Sequence, residues 1–368
     1  MKIVFLGGNF DLSGGTERVA TIIANHLAEA GHKVVVASVY GGEKPFFSLH
    51  QRIEIRFMFR QVGRTLFRAH LLIYRLRKLL KAEKPDALIV VESMLALFTI
   101  PATAGLDLKH ICWEHFNFNN DLGRKGRRIA RQLAAKYCDV IVTLTEKDKQ
   151  YWQNGTTGSA RIVSIPNPSP FPVQDVVPVA DKEKIVLTVG RLVPIKGYDL
   201  LLSAWALVAP DAPGWTLRVV GDGPEMERLC AQARDLGVEQ SVEFTGATRN
   251  VEEHYRRAAL FCMSSRFEGF PMVLLEALSF GLPVVSFDCE TGPSEVLEGT
   301  GGRLAAALDV EDLAANLLYF IGNPGEWGEV QALSLGKAAG YQPEVVMDRW
   351  RGVLVDMTEP VNTSEIIE

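Results

Sequence analysis

A proline-rich segment, SIPNPSPFPVQDVVP (residues 164–178), divides the sequence into two halves that each alternate strand-like and helix-like stretches. A segment with five prolines cannot continue a helix or a central strand, because proline lacks an N–H group and has a fixed φ. The chain of 368 residues is also longer than one ordinary core requires. We therefore expect a domain boundary here, with an N-terminal domain over residues 1–170 and a C-terminal domain over residues 171–344.

Strand–helix alternation on both sides of the boundary predicts two doubly wound α/β domains. In the first half, the apolar segments KIVFLGG, KVVVASV, DALIVVE, HICWEH and DVIVTLT are separated by helical stretches. In the second half, KIVLTVG, TLRVVG, VEFTG, LFCMS and PVVSF alternate with helices that begin near Tyr198, near Glu225 and at Pro271. This alternation is typical of parallel sheets. Ligands of such sheets bind beyond the carboxyl ends of the strands, so residues that follow strands are the candidate site residues.

The composition is that of an ordinary soluble protein, with 47% apolar and 23% charged residues. The five cysteines include no pair at CxxC spacing and have mostly apolar neighbours, so we expect buried thiols in a reducing cytoplasm, without disulfides or zinc. The N-terminus enters a strand directly and lacks the layout of a cleavable signal. The most apolar window, Ala87–Leu106, contains Glu92 and Pro101, which disfavours a membrane span.

Charge is distributed unevenly along the chain. Residues 1–180 carry a net charge of +9 and the remainder carries −14, within an overall −5, which suggests that one half faces an anionic surface or substrate. Two segments of the first half, residues 63–84 and 123–136, mix cations with apolar residues. A basic amphipathic helix is typical of binding to a membrane surface, although a solvated helix face would have the same pattern. The cations of the first segment are Arg64, Arg68, Arg75, Arg77, Lys78, Lys81 and Lys84.

Basic residues and glycines follow two strands of the second half. Arg191 and Lys196 lie in the strand-to-helix loop RLVPIKG, where a planar guanidinium and an ammonium would together match a pyrophosphate. Gly221 and Gly223 lie in GDGPE after the next strand and would permit a close approach of the backbone. The alternative interpretation of RLVPIKG is a solvated loop with incidental charges, and that of GDGPE is a plain strand–turn–helix.

Two carboxylates flank the start of a buried helix in SSRFEGFPMVLLEALSFG. Glu268 precedes the helix and Glu276 lies more than a turn inside it, and an ionised glutamate is rarely buried unless it is paired. A carboxylate accepts two hydrogen bonds and so matches the paired hydroxyls of a ribose or hexose. Pro271 suits the first helical position, and the N–H groups there favour anionic ligands. The alternative is that Glu268 is a loop charge and Glu276 an exposed helix residue.

Motifs of several other enzyme classes are absent from the sequence. The glycines after the first strand, among them Gly14 and Gly15, do not form GxGxxG, and no acidic residue ends the second strand. Both facts disfavour a nicotinamide-dependent dehydrogenase. There is no Asp-x-Asp at a strand end, no GxSxG and no P-loop.

His115 follows a strand in CWEHFNF, where it is either structural or catalytic.

Taken in order along the chain, five motifs resemble those of the family 4 glycosyltransferases, which are retaining enzymes of GT-B fold. They are GGTE, IPNP, GRLVPIKGYDLLLSAW, GDGPE and SRFEGFPMVLLEALSFGLPVVSFD, the last with the E-x7-E spacing of Glu268 and Glu276. The resemblance covers nearly the whole chain. It implies an α/β fold of GT-B type, with two Rossmann-like domains facing each other across a cleft and a C-terminal helix (345–368) that crosses back to the first domain.

The resemblance also implies a role for each candidate residue. Arg191 and Lys196 would neutralise the donor diphosphate in place of a metal, so that no cofactor is needed. Glu268 would contact the donor sugar, and Glu276 would bind the ribose. The implied catalytic residues are Glu268, Arg191, Lys196 and His115. The implied substrate-binding residues are Gly14, Gly15, Gly269, Phe270, Pro271, Met272, Val273, Glu276, Gly221 and Gly223.

The activity implied by the resemblance is transfer of a hexosyl or N-acetylhexosaminyl group, with retention of configuration, from a nucleotide sugar to an acceptor hydroxyl. The last motif is similar to those of enzymes in surface-polysaccharide assembly, which favours a UDP-linked donor and a glycan or lipid-linked acceptor. The expected location is cytoplasmic and peripheral, on the anionic inner face of the membrane, with no nucleic-acid partner. Alternatives are a sugar-nucleotide epimerase, a phosphorylase and an inactive membrane-associated binding subunit.

Overall fold

The computed structural model describes residues 1–42, 44–63, 65–121, 123–175, 177 and 181–355. The strands are β1 (Lys2–Gly7), β2 (Lys33–Tyr40), β3 (Glu54–Phe59), β4 (Ala87–Val91), β5 (Lys109–Trp113), β6 (Val140–Thr143), β7 (Arg161–Ser164), β8 (Glu183–Val189), β9 (Thr216–Val220), β10 (Val242–Gly246), β11 (Ala258–Met263), β12 (Val284–Phe287) and β13 (Arg303–Ala305). The helices are α1 (Gly15–Glu29), α2 (Ala69–Glu83), α3 (Ala96–Thr103), α4 (Lys125–Tyr137), α5 (Glu146–Gly155), α6 (Tyr198–Val208), α7 (Met226–Asp235), α8 (Val251–Arg257), α9 (Met272–Ser279), α10 (Pro293–Leu297), α11 (Val310–Gly322), α12 (Trp327–Ala339) and α13 (Pro343–Val355).

Contacts divide the chain into two compact units. The first unit comprises Met1–Pro168 and the described residues from Pro343 onward, and the second comprises Ser169–Gln342. The predicted boundary after residue 170 lies two residues from this division. Of the linker prolines, Pro178 lies outside the described residues.

The first unit is built on a parallel sheet with the strand order β3-β2-β1-β4-β5-β6-β7. The sequences of strands β1 and β4 are nearly continuous apolar runs because both faces of these strands are buried. Helix α1 begins after Gly14 and buries Val19, Ile23 and Leu27, which share one face at a spacing of four residues. Local periodicity thus accounts for the way this helix packs.

The second unit is a parallel sheet with the strand order β10-β9-β8-β11-β12-β13. The chain runs from β8 outward to β9 and β10, and then returns to the other side of β8 as β11. Such a reversal of strand order opens a crevice at the carboxyl ends of the strands. The predicted site residues of this half follow β8, β9 and β11, so the topology places them around that crevice.

Helix α13 belongs to the first unit although it ends the described chain. It buries Val346, Met347 and Trp350, and the Trp350 ring packs edge-on against Trp113, with 4.9 Å between ring centroids. The part of the predicted C-terminal helix beyond Val355 lies outside the described residues.

The prediction of two Rossmann-like parallel α/β domains is confirmed. Sequence reasoning did not identify β3, β7 and β13, which are short strands at the sheet edges and in which charged or polar residues accompany the apolar ones. The predicted start of α9 is wrong by one residue: Pro271 precedes the helix, because its ψ of 97° is extended and not helical. Within the described part of the chain, no helix has the length and apolar content that crossing a membrane requires.

Candidate active site

A glycine allows two loops of the second unit to pack directly against each other. Gly197 precedes α6 with φ of 65°, a left-handed conformation that favours glycine. A Cβ atom at this position would lie 2.0 Å from the carbonyl oxygen of Ser264, so no other residue fits. The Ser264 hydroxyl in turn donates to the carbonyl oxygen of Lys196 at 3.0 Å. The loop after β8 and the loop after β11 are therefore held together at the edge of the sheet.

This packing brings two predicted site residues, Lys196 and Glu268, into contact. Lys196 Nζ donates to Glu268 Oε1 at 2.7 Å, and the side chains are 28% and 11% exposed. The Ser265 hydroxyl donates to the same carboxylate oxygen at 2.6 Å, and the Thr291 hydroxyl donates to the Glu268 carbonyl at 2.8 Å. Glu268 is therefore a partly buried carboxylate held by a cation and a hydroxyl, and not an incidental loop charge.

Arg191 lies in the same loop as Lys196, and its side chain is exposed. Among the described residues, the Arg191 side chain has no hydrogen-bond or ion-pair partner, while its backbone carbonyl accepts from the Val193 N–H group at 2.9 Å. The GDGPE segment packs on this loop: a Cβ atom at Gly221, where φ is 146°, would lie 1.9 Å from the Gly190 carbonyl oxygen, and one at Gly223 would lie 2.3 Å from that of Leu192. These glycines serve loop packing in the structure, and their predicted substrate contact stays a prediction.

The start of α9 lies directly after Glu268. Gly269, Phe270 and Pro271 lead into the helix, and Pro271 occupies the N-cap position. The first backbone N–H groups of a helix have no intrahelical acceptor, so those of Met272 and Val273 are available to an anionic or hydroxyl-bearing ligand. Met272 and Val273 are partly exposed, which is consistent with such access.

Glu276 lies in the second turn of α9 and is only 6% exposed. The Tyr255 hydroxyl donates to Glu276 Oε2 at 2.7 Å. The alternative that Glu276 is an exposed helix residue is therefore wrong, and the residue is a buried carboxylate with a tyrosine partner. Sequence reasoning missed Tyr255, because nothing in the local pattern links two residues that lie 21 positions apart.

A second ion pair stiffens the loops that carry Lys196 and Glu268. Arg266 donates from both terminal nitrogens to the two carboxylate oxygens of Asp199, at 2.8 and 2.7 Å, and also to the Pro194 carbonyl at 2.7 Å. Hydrogen bonding from Arg266 is the main cause that lowers the pKa of Asp199 below its usual value. Such a planar, bidentate pair fixes geometry as well as charge.

The remaining predicted residues lie in the first unit. Gly14 is the N-cap of α1, and Gly15 begins the helix and is exposed. A Cβ atom at Gly14 would approach the Glu17 carboxylate oxygen to 2.2 Å. Burial raises the pKa of Glu17 above its usual value.

His115 follows β5 and is 8% exposed. Its ring lies 4.5 Å from that of Trp113, and its Nε2 atom is buried without a hydrogen-bond partner among the described residues. Burial lowers the pKa of His115 to about 3, so the imidazole is neutral near pH 7. Any ligand contact of His115 would therefore be a neutral hydrogen bond and not an ion pair.

A buried ion cluster, formed by Glu114, Arg127 and Arg131, supports the loop that contains His115. Glu114 accepts from the His115 and Phe116 backbone N–H groups at 3.0 and 3.1 Å and from Arg131 Nε at 3.2 Å. Arg127 Nη1 lies 3.8 Å from Glu114 Oε1. The sequence interpretation of residues 123–136 as a lipid-facing segment is thus wrong for Arg127 and Arg131, whose charges are neutralised inside the unit.

The segment 63–84 is also partly committed to internal contacts. Arg75 and Arg77 donate to backbone carbonyl groups of Met58 and of residues 102 and 104, and Arg68 donates to that of Gln61. Arg64 lies outside the described residues. Exposed cations of the two segments are Arg75, Lys78, Lys81, Lys84, Arg124, Lys125, Arg128 and Lys136.

Known protein families match both halves of the chain. A family model described as Glycosyltransferase Family 4 matches residues 13–169, and one described as Glycosyl transferases group 1 matches residues 173–334. An uncharacterized glycosyltransferase of Haemophilus influenzae is 36% identical over 355 residues, which cover 96% of this chain and 99% of the relative. The amylovoran biosynthesis glycosyltransferase AmsD of Erwinia amylovora is 28% identical over 364 residues, which cover 96% of this chain and 99% of AmsD.

Solved structures have the same fold. The lipopolysaccharide outer core galactosyltransferase WaaB, in its apo form, superimposes with a TM-score of 0.78 at 24% identity, covering 97% of this chain and 99% of its own. Anabaena Alr3699/HepE in complex with UDP-glucose gives a TM-score of 0.80 at 20% identity, covering 97% and 100%.

The two parallel-sheet units, together with these structural neighbours, define a protein of GT-B fold. The near full-length match to the Haemophilus protein, with both family models, shows that the chain belongs to the family 4-type glycosyltransferases. The predicted membership of this family is confirmed, whereas the retaining mechanism and the roles of Glu268 and Glu276 stay predictions.

Proposed function

We propose that the protein is a retaining, metal-independent glycosyltransferase that moves a hexosyl or N-acetylhexosaminyl group from a UDP-linked sugar to a hydroxyl of a glycan or lipid-linked acceptor. The observation that carries the proposal is the contact of Lys196 with Glu268 directly before α9. A cation suited to phosphate, a carboxylate suited to sugar hydroxyls and a helix N-terminus lie within one loop cluster.

In the proposed reaction, the acceptor hydroxyl attacks the anomeric carbon on the face from which the diphosphate leaves. The bond from the anomeric carbon to the phosphate oxygen breaks, the new glycosidic bond forms, and the hydroxyl proton passes to the departing diphosphate oxygen. Lys196 and the exposed Arg191 stabilise the charge that grows on that oxygen. Glu268 binds the transferred sugar, and Glu276 binds the ribose.

The proposed substrates draw support from the relatives. One relative acts in amylovoran biosynthesis, one structural neighbour is a lipopolysaccharide galactosyltransferase, and another neighbour was solved with UDP-glucose. We extend these properties to the present chain as a UDP-sugar donor and an acceptor from surface-polysaccharide or glycolipid assembly. The proposed metal independence draws support from Arg191 and Lys196, which supply fixed positive charge in the loop after β8.

We also propose peripheral binding to the anionic inner face of the membrane, where a lipid-linked acceptor would be found. The segment 63–84 presents the exposed lysines Lys78 and Lys81 on α2 and Lys84 directly after it, with the exposed apolar side chains of Phe67 and Tyr74 nearby in sequence. Cations mixed with exposed aromatic side chains suit a lipid surface.

Calorimetry with UDP tests the proposed donor site. Lys196→Met should weaken UDP binding at least about tenfold, because a hydrogen bond to a charged group contributes about 1.5–3 kcal/mol. Lys337→Met is the matched control, since Lys337 is a half-buried lysine of the same unit that bonds the Glu298 carbonyl. Failure of the native protein to bind UDP, or equal losses in both variants, would contradict the proposal.

A further inference from the structure

We infer that Tyr255 is a positioning residue of the nucleotide site, which acts through Glu276. This inference rests on the proposed function, because it requires Glu276 to be the ribose ligand. Its basis is the hydrogen bond from the Tyr255 hydroxyl to Glu276 Oε2, at 2.7 Å, between two residues on separate helices. Neither the sequence motifs nor the relatives assign a role to Tyr255.

The tyrosine ring is fixed in place by aromatic neighbours. Tyr255 is fully buried, and its ring stacks on Phe280 with 5.4 Å between centroids and an interplanar angle of 14°. The ring centroids of Phe261 and Phe171 lie 5.7 and 6.4 Å from that of Tyr255 and complete its surroundings. A ring enclosed in this way holds its hydroxyl group in one direction, so the hydrogen bond defines where Glu276 Oε2 must lie.

A fixed carboxylate is what recognition of ribose hydroxyls requires. A glutamate side chain has several rotatable bonds, and ordering a flexible side chain on binding costs free energy that reduces affinity. The Tyr255 hydroxyl selects one orientation before the ligand arrives, so the hydroxyl groups of the ribose meet a preorganised acceptor. Tyr255 therefore contributes to selectivity for the ribose and does not itself contact the ligand.

A purely structural role for Tyr255 makes a different prediction. If the tyrosine only filled the core, its loss would weaken binding of every nucleotide to the same extent. If it positions Glu276, its loss weakens only the contacts with the ribose hydroxyl groups that Glu276 binds. The ratio of the Kd of 2′-deoxy-UDP to the Kd of UDP separates these two cases.

The test is calorimetry of the full chain with UDP and 2′-deoxy-UDP, with thermal unfolding as the check on folding. The native protein should prefer UDP by about tenfold or more, as expected for a hydrogen bond to a charged group. Tyr255→Phe keeps the ring and should reduce this preference to about threefold or less. Tyr319→Phe is the control, because the Tyr319 hydroxyl bonds Glu326 at 2.9 Å on the surface of the same unit.

A second variant measures the coupling directly. In a Glu276→Ala background, Tyr255→Phe should change the Kd of UDP by less than about twofold, because no carboxylate remains to be positioned. An unchanged preference ratio in Tyr255→Phe, or an equally large loss in the Glu276→Ala background, would overturn the inference while leaving the proposed donor intact. If the native protein bound no UDP, the proposed donor would be wrong, and this inference would be wrong with it.

Discussion

Replacement of Glu114 by glutamine tests whether the buried ion cluster holds the first unit together. The Glu114 side chain is completely buried, and those of Arg131 and Arg127 are 1% and 2% exposed. Glu114 also accepts from the Ser93 hydroxyl and from two backbone N–H groups of the loop that follows it. Glutamine keeps the shape and one acceptor oxygen but removes the negative charge between two guanidinium groups.

The expected loss follows from the geometry of the cluster. Removing one partner of a buried ion pair costs about 3–5 kcal/mol, because the remaining charge is left without compensation. Arg127 keeps Glu92 at 2.7 Å, and Arg131 keeps backbone carbonyl partners such as Asn117 O at 2.9 Å. We therefore expect the lower end of the range, about 3 kcal/mol, for Glu114→Gln.

Urea denaturation followed by tryptophan fluorescence measures this loss, since Trp113 and Trp350 of the same unit are buried in contact with each other. With a slope of about 1–3 kcal/mol per molar urea, a loss of about 3 kcal/mol lowers the midpoint of this transition by about 1–3 M. Glu54→Gln is the control, because Glu54 pairs with Arg56 at an exposed edge, where ion pairs contribute about 0–1 kcal/mol. Equal midpoint shifts for Glu114→Gln and Glu54→Gln would refute this reasoning.

Two further predictions concern the proposed function. Turnover of a UDP-sugar should be unchanged by a chelator, because Arg191 and Lys196 supply the positive charge; a hundredfold loss that magnesium or manganese restores would refute metal independence. Sedimentation with liposomes should require anionic lipid and decline at high salt, and replacing Lys78, Lys81 and Lys84 together by glutamine should weaken it by about 3 kcal/mol, at about 1 kcal/mol per cation. Equal binding to neutral and anionic vesicles would instead favour a solvated helix face.

The sequence by itself determined the features that depend on local pattern. Apolar periodicity identified the central strands and the amphipathic helices, and the prolines after residue 164 marked the boundary between the two domains. The loops that carry Arg191, Lys196 and Glu268 were predictable because the strands before them, β8 and β11, are largely apolar in sequence. The edge strands β7 and β13 were not predictable, because half-exposed strands of three or four residues have little apolar signal; in β3, Glu54 and Arg56 interrupt the apolar residues.

Only the tertiary structure decided which charges meet. Lys196 and Glu268 are 72 positions apart and meet because the sheet order makes β8 and β11 neighbours, so that the loops after them lie side by side. Arg127 and Arg131 have the spacing of one helix face, and the sequence could not distinguish a face turned to solvent from one turned to a buried carboxylate. Periodicity is a property of neighbours along the chain, whereas the pairing of charges depends on strand order and on burial by distant segments.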